Sequence, residues 1–329
     1  MSKKVNWSGV FPAVTTQFND DFSVNLEATH KVISNLVRDG VSGLVVCGSV
    51  GENTSLSIEE KMAVTEVAKD ASGGRVPVIC GIAEFTSHGA SQVAKAVQKV
   101  GVDGIMVMPA LVYSSKPHET AAHFRSVATS TDLPVMVYNN PPIYKNDVTP
   151  DILISLADCE NIVCFKDSSG DTRRFIDVRN EVGNRFILFA GLDDVVLESI
   201  AVGAEGWISG MSNVFPQEGE TIFRLCKAGR YEEAMPIYEW LMPILHLDAA
   251  RTWCSASSSA KRSPAAAPPS PARRAWRCRA LIASTWRRSW PRRWRTGRSC
   301  RMWGFNRTTL TPALAARPDP EGEGVGRAG

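Results

Sequence analysis

The chain has 329 residues, a formal net charge of +3 and 44% hydrophobic residues. This composition excludes collagen-like, disulfide-scaffold and wholly disordered proteins, and it is typical of a globular protein with one large domain or two small ones. No apolar run reaches the ~18 residues of a membrane helix, and the N-terminus lacks the apolar stretch of a secretory signal. Eight cysteines without close pairing indicate reduced thiols and a cytoplasmic location.

The overall charge hides a change of composition near residue 250. Residues 1–250 contain 20 Lys and Arg against 31 Asp and Glu, a net charge of −11. Residues 251–329 contain 17 Lys and Arg against 3 Asp and Glu, a net charge of +14, together with six of the nine Trp and eight of the 19 Pro. We therefore predict one folded domain over 1–250 and a tail of a different character over 251–329.

The first 250 residues alternate between short apolar runs and amphipathic stretches. The apolar runs predict strands that are covered on both faces, and the stretches between them have the apolar spacing of helices. The predicted strands cover 10–18, 43–47, 76–82, 104–108, 135–138, 162–166, 186–190 and 206–209. The predicted helices cover 25–38, 57–71, 87–100, 117–131, 150–157, 172–182, 193–202, 217–228 and 231–247. The helix over 57–71 opens with a predicted capping box of Ser57 and Glu60.

Eight strands that alternate with helices favour a (β/α)8 barrel, a TIM barrel of the α/β class. A doubly wound sheet is the alternative. Such a sheet usually has a glycine-rich phosphate turn after its first strand, whereas residues 14–18 contain no glycine. In a barrel the reactive groups lie where the strands end, so the residues at the strand ends are the candidates for function.

Lys166 ends the sixth predicted strand and is the only lysine within any of the eight. Its apolar neighbours would desolvate an ammonium group and lower its pKa, and a neutral amine can attack a carbonyl to form a Schiff base. The alternative is a lysine at the edge of a strand that reaches solvent. Tyr138 ends the fifth predicted strand, where it could relay protons or simply place its hydroxyl in water.

A turn with two glycines follows the second predicted strand. Gly48 and Gly51 let backbone N–H groups converge on an anion, with the hydroxyl of Ser49 beside them. This arrangement suits a carboxylate, and a tight turn that needs glycine only for its geometry is the alternative. The five histidines have no metal-ligand spacing, and the chain has no P-loop and no Gly-x-Ser-x-Gly elbow. We expect no metal and no cofactor.

Three motifs in order resemble the dihydrodipicolinate synthase / N-acetylneuraminate lyase family. They are Gly-Ser-Val-Gly-Glu at 48–52, Tyr-Asn-Asn-Pro at 138–141 and Phe-Lys-Asp-Ser-Ser-Gly at 165–170. The resemblance extends over residues 6–248. It implies a (β/α)8 barrel, usually a tetramer, that binds a 2-keto acid as a lysine Schiff base.

The resemblance also implies roles for individual residues. Lys166 would form the Schiff base and Tyr138 would relay protons. The candidate residues for holding the substrate are Gly48, Ser49, Val50, Tyr113, Gly191 and Ser209. Further loop residues that could set specificity are Ile143, Tyr144, Ser168, Asp193, Met211 and Ser212.

Several positions depart from the pattern of the synthases. Ile143 stands where an arginine usually holds the carboxylate of the second substrate, and Val50 replaces the second threonine of Gly-Thr-Thr-Gly-Glu. Tyr113 is one residue out of register with the tyrosine that is donated across the dimer. These departures argue against lysine biosynthesis.

The segments 108–113, 138–142 and 245–248 look most like deaminases that act on 1-pyrroline-4-hydroxy-2-carboxylate in hydroxyproline degradation. The expected products are ammonia and 2-oxoglutarate semialdehyde. A 2-keto-3-deoxy sugar-acid dehydratase or aldolase is the main alternative. A dihydrodipicolinate synthase and a catalytically inactive ligand-binding barrel remain further alternatives.

The tail contains a Pro-rich segment at 263–274 and an Arg/Trp-rich segment at 287–295. It could be an arm for nucleic acid or anionic surfaces, or a disordered extension. Permitted codons for residues 251–263, read from the third base of the first codon, give Asp-Leu-Val-Gln-Cys-Ile-Lys-Leu-Cys-Glu-Ala-Ile, which has helical apolar spacing. We therefore hypothesise a frameshift near residues 248–251, natural or in sequencing. The expected partners are a small-molecule substrate and further copies of the chain, and neither nucleic acid nor a membrane.

Overall fold

A computed structural model of the chain describes residues 5–249. The tail over 251–329, and with it the frameshift hypothesis, lies outside the described residues. All eight strands run parallel in one sheet. The strands are β1 (Gly9–Pro12), β2 (Leu44–Val46), β3 (Val78–Ile82), β4 (Gly104–Val107), β5 (Val135–Asn139), β6 (Ile162–Asp167), β7 (Ile187–Ala190) and β8 (Gly206–Ser209).

The sheet closes on itself, as a barrel requires. The strand order is β1-β8-β7-β6-β5-β4-β3-β2, so the first strand pairs with the last. Between β1 and β2, Ala13 forms a parallel bridge with Val45, and the Val14 amide donates to the Val45 carbonyl at 2.8 Å. The (β/α)8 barrel predicted from the sequence is confirmed, and an open doubly wound sheet is excluded because its edges would stay unpaired.

Helices follow the strands in the alternation that the sequence predicts. They are α1 (Leu26–Arg38), α2 (Ile58–Ser72), α3 (Ser87–Val100), α4 (Pro117–Ala128), α5 (Pro141–Tyr144), α6 (Pro150–Ile154), α7 (Arg173–Val182), α8 (Val196–Ala201), α9 (Pro216–Lys227) and α10 (Tyr231–Ala249). Ser57 caps α2 and forms the predicted capping box with Glu60. Within residues 5–249, none of these helices has the length and apolar character to cross a membrane.

Three elements differ from the sequence prediction. The predicted strand over 10–18 ends at Pro12, because the chain closes the barrel at Ala13 and then turns back through an antiparallel bridge of Phe18 with Val24. The predicted helix over 193–202 divides into a 3₁₀ turn (Asp193–Val195) and α8. The single turn of α5 was not predicted, although paired prolines at its start favour a helix N-terminus.

The barrel interior is filled by one side-chain face of each strand. Successive residues of a strand point to opposite faces, so residues two apart share a face. The interior cluster consists largely of apolar side chains and includes Phe11, Val45, Ile79, Met106, Met136, Tyr138, Cys164, Phe189 and Ile208. Phe165 lies on the other face of β6 and packs edge-on against Phe175 of α7, with ring centroids 6.5 Å apart. Lys166 therefore shares the interior face with Cys164.

Candidate active site

The predicted lysine lies buried at the C-terminal end of β6. Lys166 is 5% exposed and pairs in register with Tyr138 of β5. Its Nζ lies 3.6 Å from the centroid of the Tyr138 ring. The structure thus brings together the two residues that the sequence analysis selected for chemistry, at the end of the barrel where parallel strands place functional groups.

The Tyr138 side chain is held by two neighbours. Its hydroxyl accepts a hydrogen bond from Asn140 Nδ2 at 3.0 Å. Its ring meets the Tyr144 ring edge-on, with centroids 5.6 Å apart and an interplanar angle of 87°. The Tyr144 hydroxyl in turn forms a hydrogen bond with Ser49 Oγ. The sequence named Tyr144 only as a possible specificity residue, and α5 is the element that brings it to this position.

The turn after β2 has a constrained backbone. Cys47 and Glu52 both have positive φ values, of 51° and 58°, which only a minority of non-glycine residues adopt. The buried Asn53 side chain holds the turn by donating to the Cys47 carbonyl at 2.7 Å and to the Gly81 carbonyl at 3.1 Å. A Cβ on Gly81 would lie 2.3 Å from the Cys47 carbonyl oxygen, so this close approach requires glycine.

This turn presents the candidate carboxylate-binding groups to the mouth of the barrel. Ser49 is exposed and Val50 is half-buried. Within residues 5–249, the amide N–H groups of these two residues donate to no protein acceptor. The turn therefore offers a hydroxyl and two amides to a ligand. Gly48, by contrast, has ordinary space around its Cα, since an added Cβ would find Met106 Cε at 3.6 Å as its nearest atom.

A hydrogen-bonded network lies on the outer face of the same two strand ends. The fully buried Asn139 follows Tyr138, and its Nδ2 donates to Asp167 at 2.8 Å and to Asp147 at 3.1 Å. Its Oδ1 accepts the Val148 amide at 2.8 Å. This network was not predicted. Asn139 and Asp167 belong to two of the three motifs, but the motifs do not indicate that these side chains meet, and Asp147 lies outside them.

The two carboxylates of this network titrate differently. Arg174 binds Asp147 through two hydrogen bonds, at 2.6 and 2.9 Å, and these hold the pKa of Asp147 below its ordinary value. Burial raises the pKa of Asp167, opposed by hydrogen bonds from Ser169 and Asn139. Since Asp167 directly follows Lys166, the network fixes the backbone that carries the lysine.

Gly191 lies close to the end of β6, as its position at the end of β7 predicts. Its amide donates to the Asp167 carbonyl at 2.8 Å, and an added Cβ would lie 2.1 Å from Ser168 Oγ. Ser209 occupies a different environment. Ile208 belongs to the interior cluster, so Ser209 faces the helices, where its Oγ accepts the Ser212 amide at 3.0 Å. The structure therefore does not bring the Ser209 side chain together with Lys166.

Tyr113 and Ile143 lie at the surface. Tyr113 is 82% exposed, whereas Tyr138 is 5% exposed. The Tyr113 ring is therefore not buried with Tyr138 and Lys166 of the same chain. Ile143 is 45% exposed and places an apolar side chain one residue before Tyr144. Another specificity candidate, Asp193 in the 3₁₀ turn after β7, is buried and accepts hydrogen bonds from Trp207 Nε1 and the Met211 amide, both at 2.9 Å. These two hydrogen bonds support the barrel rim.

Comparison with known proteins confirms the family that the three motifs predict. The profile of the dihydrodipicolinate synthetase family matches residues 6–258. The 4-hydroxy-tetrahydrodipicolinate synthase 1 of Halalkalibacterium halodurans is 32% identical over 243 residues, which are 73% of this chain and 82% of that protein. The synthase of Methanospirillum hungatei is 34% identical over 243 residues, which are 72% of this chain and 82% of that protein. The crystal structure of dihydrodipicolinate synthase from Aquifex aeolicus has a TM-score of 0.71 at 30% identity, covering 73% of this chain and 82% of that one. The chain belongs to the dihydrodipicolinate synthetase family of enzymes.

Proposed function

We propose that the protein forms a Schiff base between Lys166 and a 2-keto acid or cyclic imino acid. The observation that carries the proposal is the Lys166 amine, buried at the C-terminal end of β6 and 3.6 Å from the Tyr138 ring centroid. A buried amine at a strand end has access to a bound substrate and is shielded from bulk water. Both properties suit an amine that attacks a carbonyl.

The proposed chemistry assigns one task to each group. Lys166 Nζ attacks C2 of the substrate, and the former carbonyl oxygen takes a proton to give a carbinolamine. Tyr138 Oη donates the proton with which the hydroxyl leaves as water, so that the C2–N double bond forms. The substrate carboxylate binds the Ser49 hydroxyl and the Ser49 and Val50 amides, with Gly48 shaping the turn.

We propose 1-pyrroline-4-hydroxy-2-carboxylate as the substrate. This compound already contains an imine beside a carboxylate, so Lys166 can exchange into the imine and open the ring. Loss of the 4-hydroxyl as water and hydrolysis then give ammonia and 2-oxoglutarate semialdehyde. Ile143 supports a substrate with a single carboxylate, because its apolar side chain occupies the position where an arginine would hold a second one.

A panel of substrates tests this assignment. Purified protein is incubated with the pyrroline carboxylate, with 2-keto-3-deoxy sugar acids, and with pyruvate plus aldehydes, and ammonia and carbonyl products are measured. The proposal predicts ammonia release from the pyrroline carboxylate and its loss in Lys166→Ala. Turnover of a sugar acid without ammonia release would instead establish the dehydratase or aldolase alternative. Condensation of pyruvate with an amino-acid aldehyde would establish a synthase.

We also propose that the protein is a homo-oligomer. Three large apolar side chains are exposed on the loops that follow β3 and β4, namely Phe85, Val112 and Tyr113, at 65%, 73% and 82%. Exposed apolar groups of this size are typical of contact surfaces between proteins. Sedimentation analysis should show a dimer or tetramer, and Val112→Asp should shift it toward monomer. A monomeric parent protein would contradict this assignment.

A further inference from the structure

We propose that Arg174 of α7 is a positioning residue for Lys166. Its guanidinium group orients the end of β6 through a series of hydrogen bonds and supplies the positive charge that balances the carboxylates behind the lysine. This inference rests on the proposed Schiff-base function. Arg174 acts from a distance, because α7 lies on the outer face of β6, where Phe175 packs against Phe165, whereas the Lys166 amine lies on the inner face.

Four side chains link α7 to the end of β6. The Arg174 guanidinium binds Asp147 through two hydrogen bonds, at 2.6 and 2.9 Å. Asp147 Oδ1 also accepts Asn139 Nδ2 at 3.1 Å, and the same Nδ2 donates to Asp167 Oδ1 at 2.8 Å. A guanidinium group that binds a carboxylate through two parallel bonds fixes the orientation of its partner. The series therefore holds the Asp167 side chain from outside the barrel.

The backbone at Asp167 transmits this orientation to the lysine. Asp167 directly follows Lys166, and its carbonyl accepts the Gly191 amide at 2.8 Å. The next amide, that of Ser168, donates to the Asn139 carbonyl at 2.8 Å. If the Asp167 side chain turned away, these bonds would be strained and the Lys166 backbone would shift. A displacement of about 1 Å at a reacting group can slow a reaction about a hundredfold.

The groups around the Asp167 carboxylate come from several elements. β5 contributes the Asn139 amide, and the residue of β7 in register with Asp167 is an alanine, so neither strand places a titratable group here. The loop after β6 contributes Ser169 Oγ, which donates to Asp167 Oδ2 at 2.5 Å. The charged side chains are Arg174 of α7 and the Asp147 carboxylate that it binds.

The charge of Arg174 is its second contribution. Burial raises the pKa of Asp167, opposed by two hydrogen bonds and by the positive charge of Arg174. The carboxylates that act on Arg174 are those of Asp147, Asp167 and Asp171, and Asp171 is itself bound by Arg173. Without the Arg174 charge, Asp167 would take up a proton at a higher pH and would lose one of its two hydrogen-bond acceptors. We therefore expect the reactivity of the lysine to be lost earlier as the solution is acidified.

The test uses pyruvate as the probe and Arg174→Met, which removes the guanidinium group and keeps an unbranched side chain. The full-length protein is mixed with pyruvate, and samples are reduced with borohydride at successive times, so that the rate of Schiff-base formation is measured across the neutral and mildly acidic range. We expect the rate to fall on the order of tenfold in neutral solution. We also expect the acid limb of the pH profile to move to higher pH.

Two further variants separate the effects of geometry and charge. Arg174→Lys keeps the charge and loses the two parallel bonds, so the rate should fall while the acid limb stays near its parental position. Arg173→Met is the matched control. The Arg173 side chain is 83% exposed and binds Asp171 in the adjoining loop, whereas the Arg174 side chain is 18% exposed. This control should match the parent protein in rate and in pH profile.

The outcomes distinguish this inference from the proposed function. A parent protein that is trapped, with an Arg174→Met variant within about twofold of its rate, overturns the inference and leaves the Schiff-base proposal standing. A slower variant whose acid limb does not move also overturns it, since a general structural loss lowers the rate at every pH. If urea denaturation shows that Arg174→Met is unfolded, a parental rate in Arg174→Lys overturns the inference. A parent protein that is never trapped overturns the proposed function and this inference with it.

Discussion

Tyr138 and Lys166 face each other in register across β5 and β6, with the lysine amine 3.6 Å from the centroid of the tyrosine ring. The next residue of each strand points to the opposite face, where Asn139 donates to Asp167 at 2.8 Å. One register therefore produces two pairs: a candidate reactive pair inside the barrel and a hydrogen-bonded pair outside it. The outer pair holds the two strand ends at the spacing that the inner pair requires.

Asn139→Ala should destabilise the fold. The substitution leaves the buried Val148 amide without its acceptor and removes a donor from Asp167 and from Asp147. Unsatisfied buried groups of this kind cost about 3 kcal/mol in the free energy of unfolding, measured by urea denaturation. Asn140→Ala is the matched control, because Asn140 makes one side-chain hydrogen bond, to the Tyr138 hydroxyl, and should cost only about 1 kcal/mol. Equal losses in the two variants would contradict the role assigned to the outer pair.

Gly191→Ala should also destabilise the barrel end. Its Cβ would lie 2.1 Å from Ser168 Oγ and 2.6 Å from the Asp167 carbonyl oxygen, which is backbone and has little freedom to move. We expect a loss of about 2 kcal/mol in urea denaturation. Adding Ser168→Ala should not restore stability, because the clash with the Asp167 carbonyl remains.

Gly48→Ala is the steric control for stability. Its nearest new contact, Met106 Cε at 3.6 Å, is an ordinary one, so the expected change is within about 0.5 kcal/mol. A destabilisation as large as that of Gly191→Ala would show that space is not what distinguishes the two glycines.

His123 should make stability fall in mildly acidic solution. Burial lowers the pKa of this histidine, opposed by its hydrogen bond to the Met108 carbonyl at 3.0 Å. As pH falls below about 6.5, the unfolded chain takes up a proton on this residue while the folded chain does not. This proton uptake stabilises the unfolded state and lowers the free energy of unfolding. The loss should accumulate from about pH 6.5 downward and level off below the lowered folded pKa.

Variants of α4 test this pH dependence by urea denaturation at about pH 7.5 and about pH 5.5. His123→Gln should lose less stability than the parent protein over this interval. The control His118→Gln changes an exposed histidine of the same helix and should retain the parental loss. If both variants lose stability equally, the pH dependence has another source.

Resequencing the gene around codons 248–260 tests the proposed frameshift. We expect independent reads to differ there by an insertion or deletion that restores the helical reading over residues 251–263. An intact frame in every read would refute the frameshift and make the basic tail part of the protein. The family profile ends at residue 258, a few residues beyond the change in composition.

Hydrophobic periodicity was sufficient to predict the barrel, because each strand is covered on both faces and each helix on one. The predicted strand over 10–18 ran too long because apolar residues such as Val14 are buried for a different reason. The Val14 amide donates to the Val45 carbonyl where the barrel closes, beyond the end of the regular strand at Pro12. Local sequence does not distinguish these two causes of burial.

The sequence could predict which residues lie near the end of a strand. The direction of each side chain depends on whether its position along the strand is odd or even, because successive residues point to opposite faces. Lys166 and Tyr138 face the interior, whereas Ser209 faces the helices, although all three lie within one residue of the C-terminal end of a strand. If a strand is shifted by one residue, each of its side chains moves to the opposite face of the sheet. Sequence patterns do not define strand boundaries to a single residue. The network around Asn139 and the contact of Tyr144 with Ser49 could not be predicted from the sequence for a further reason. They join residues from separate loops that only the closed barrel brings together.

Reductive trapping with pyruvate is the decisive experiment for the Schiff-base proposal. The parent protein and Lys166→Ala are treated with borohydride in the presence and absence of pyruvate, and the modified peptide is identified by mass spectrometry. We predict a pyruvate-dependent adduct on Lys166 in the parent protein and none in the variant. An adduct on another lysine, or no adduct in a folded parent protein, would contradict the assignment of Lys166 as the reactive amine.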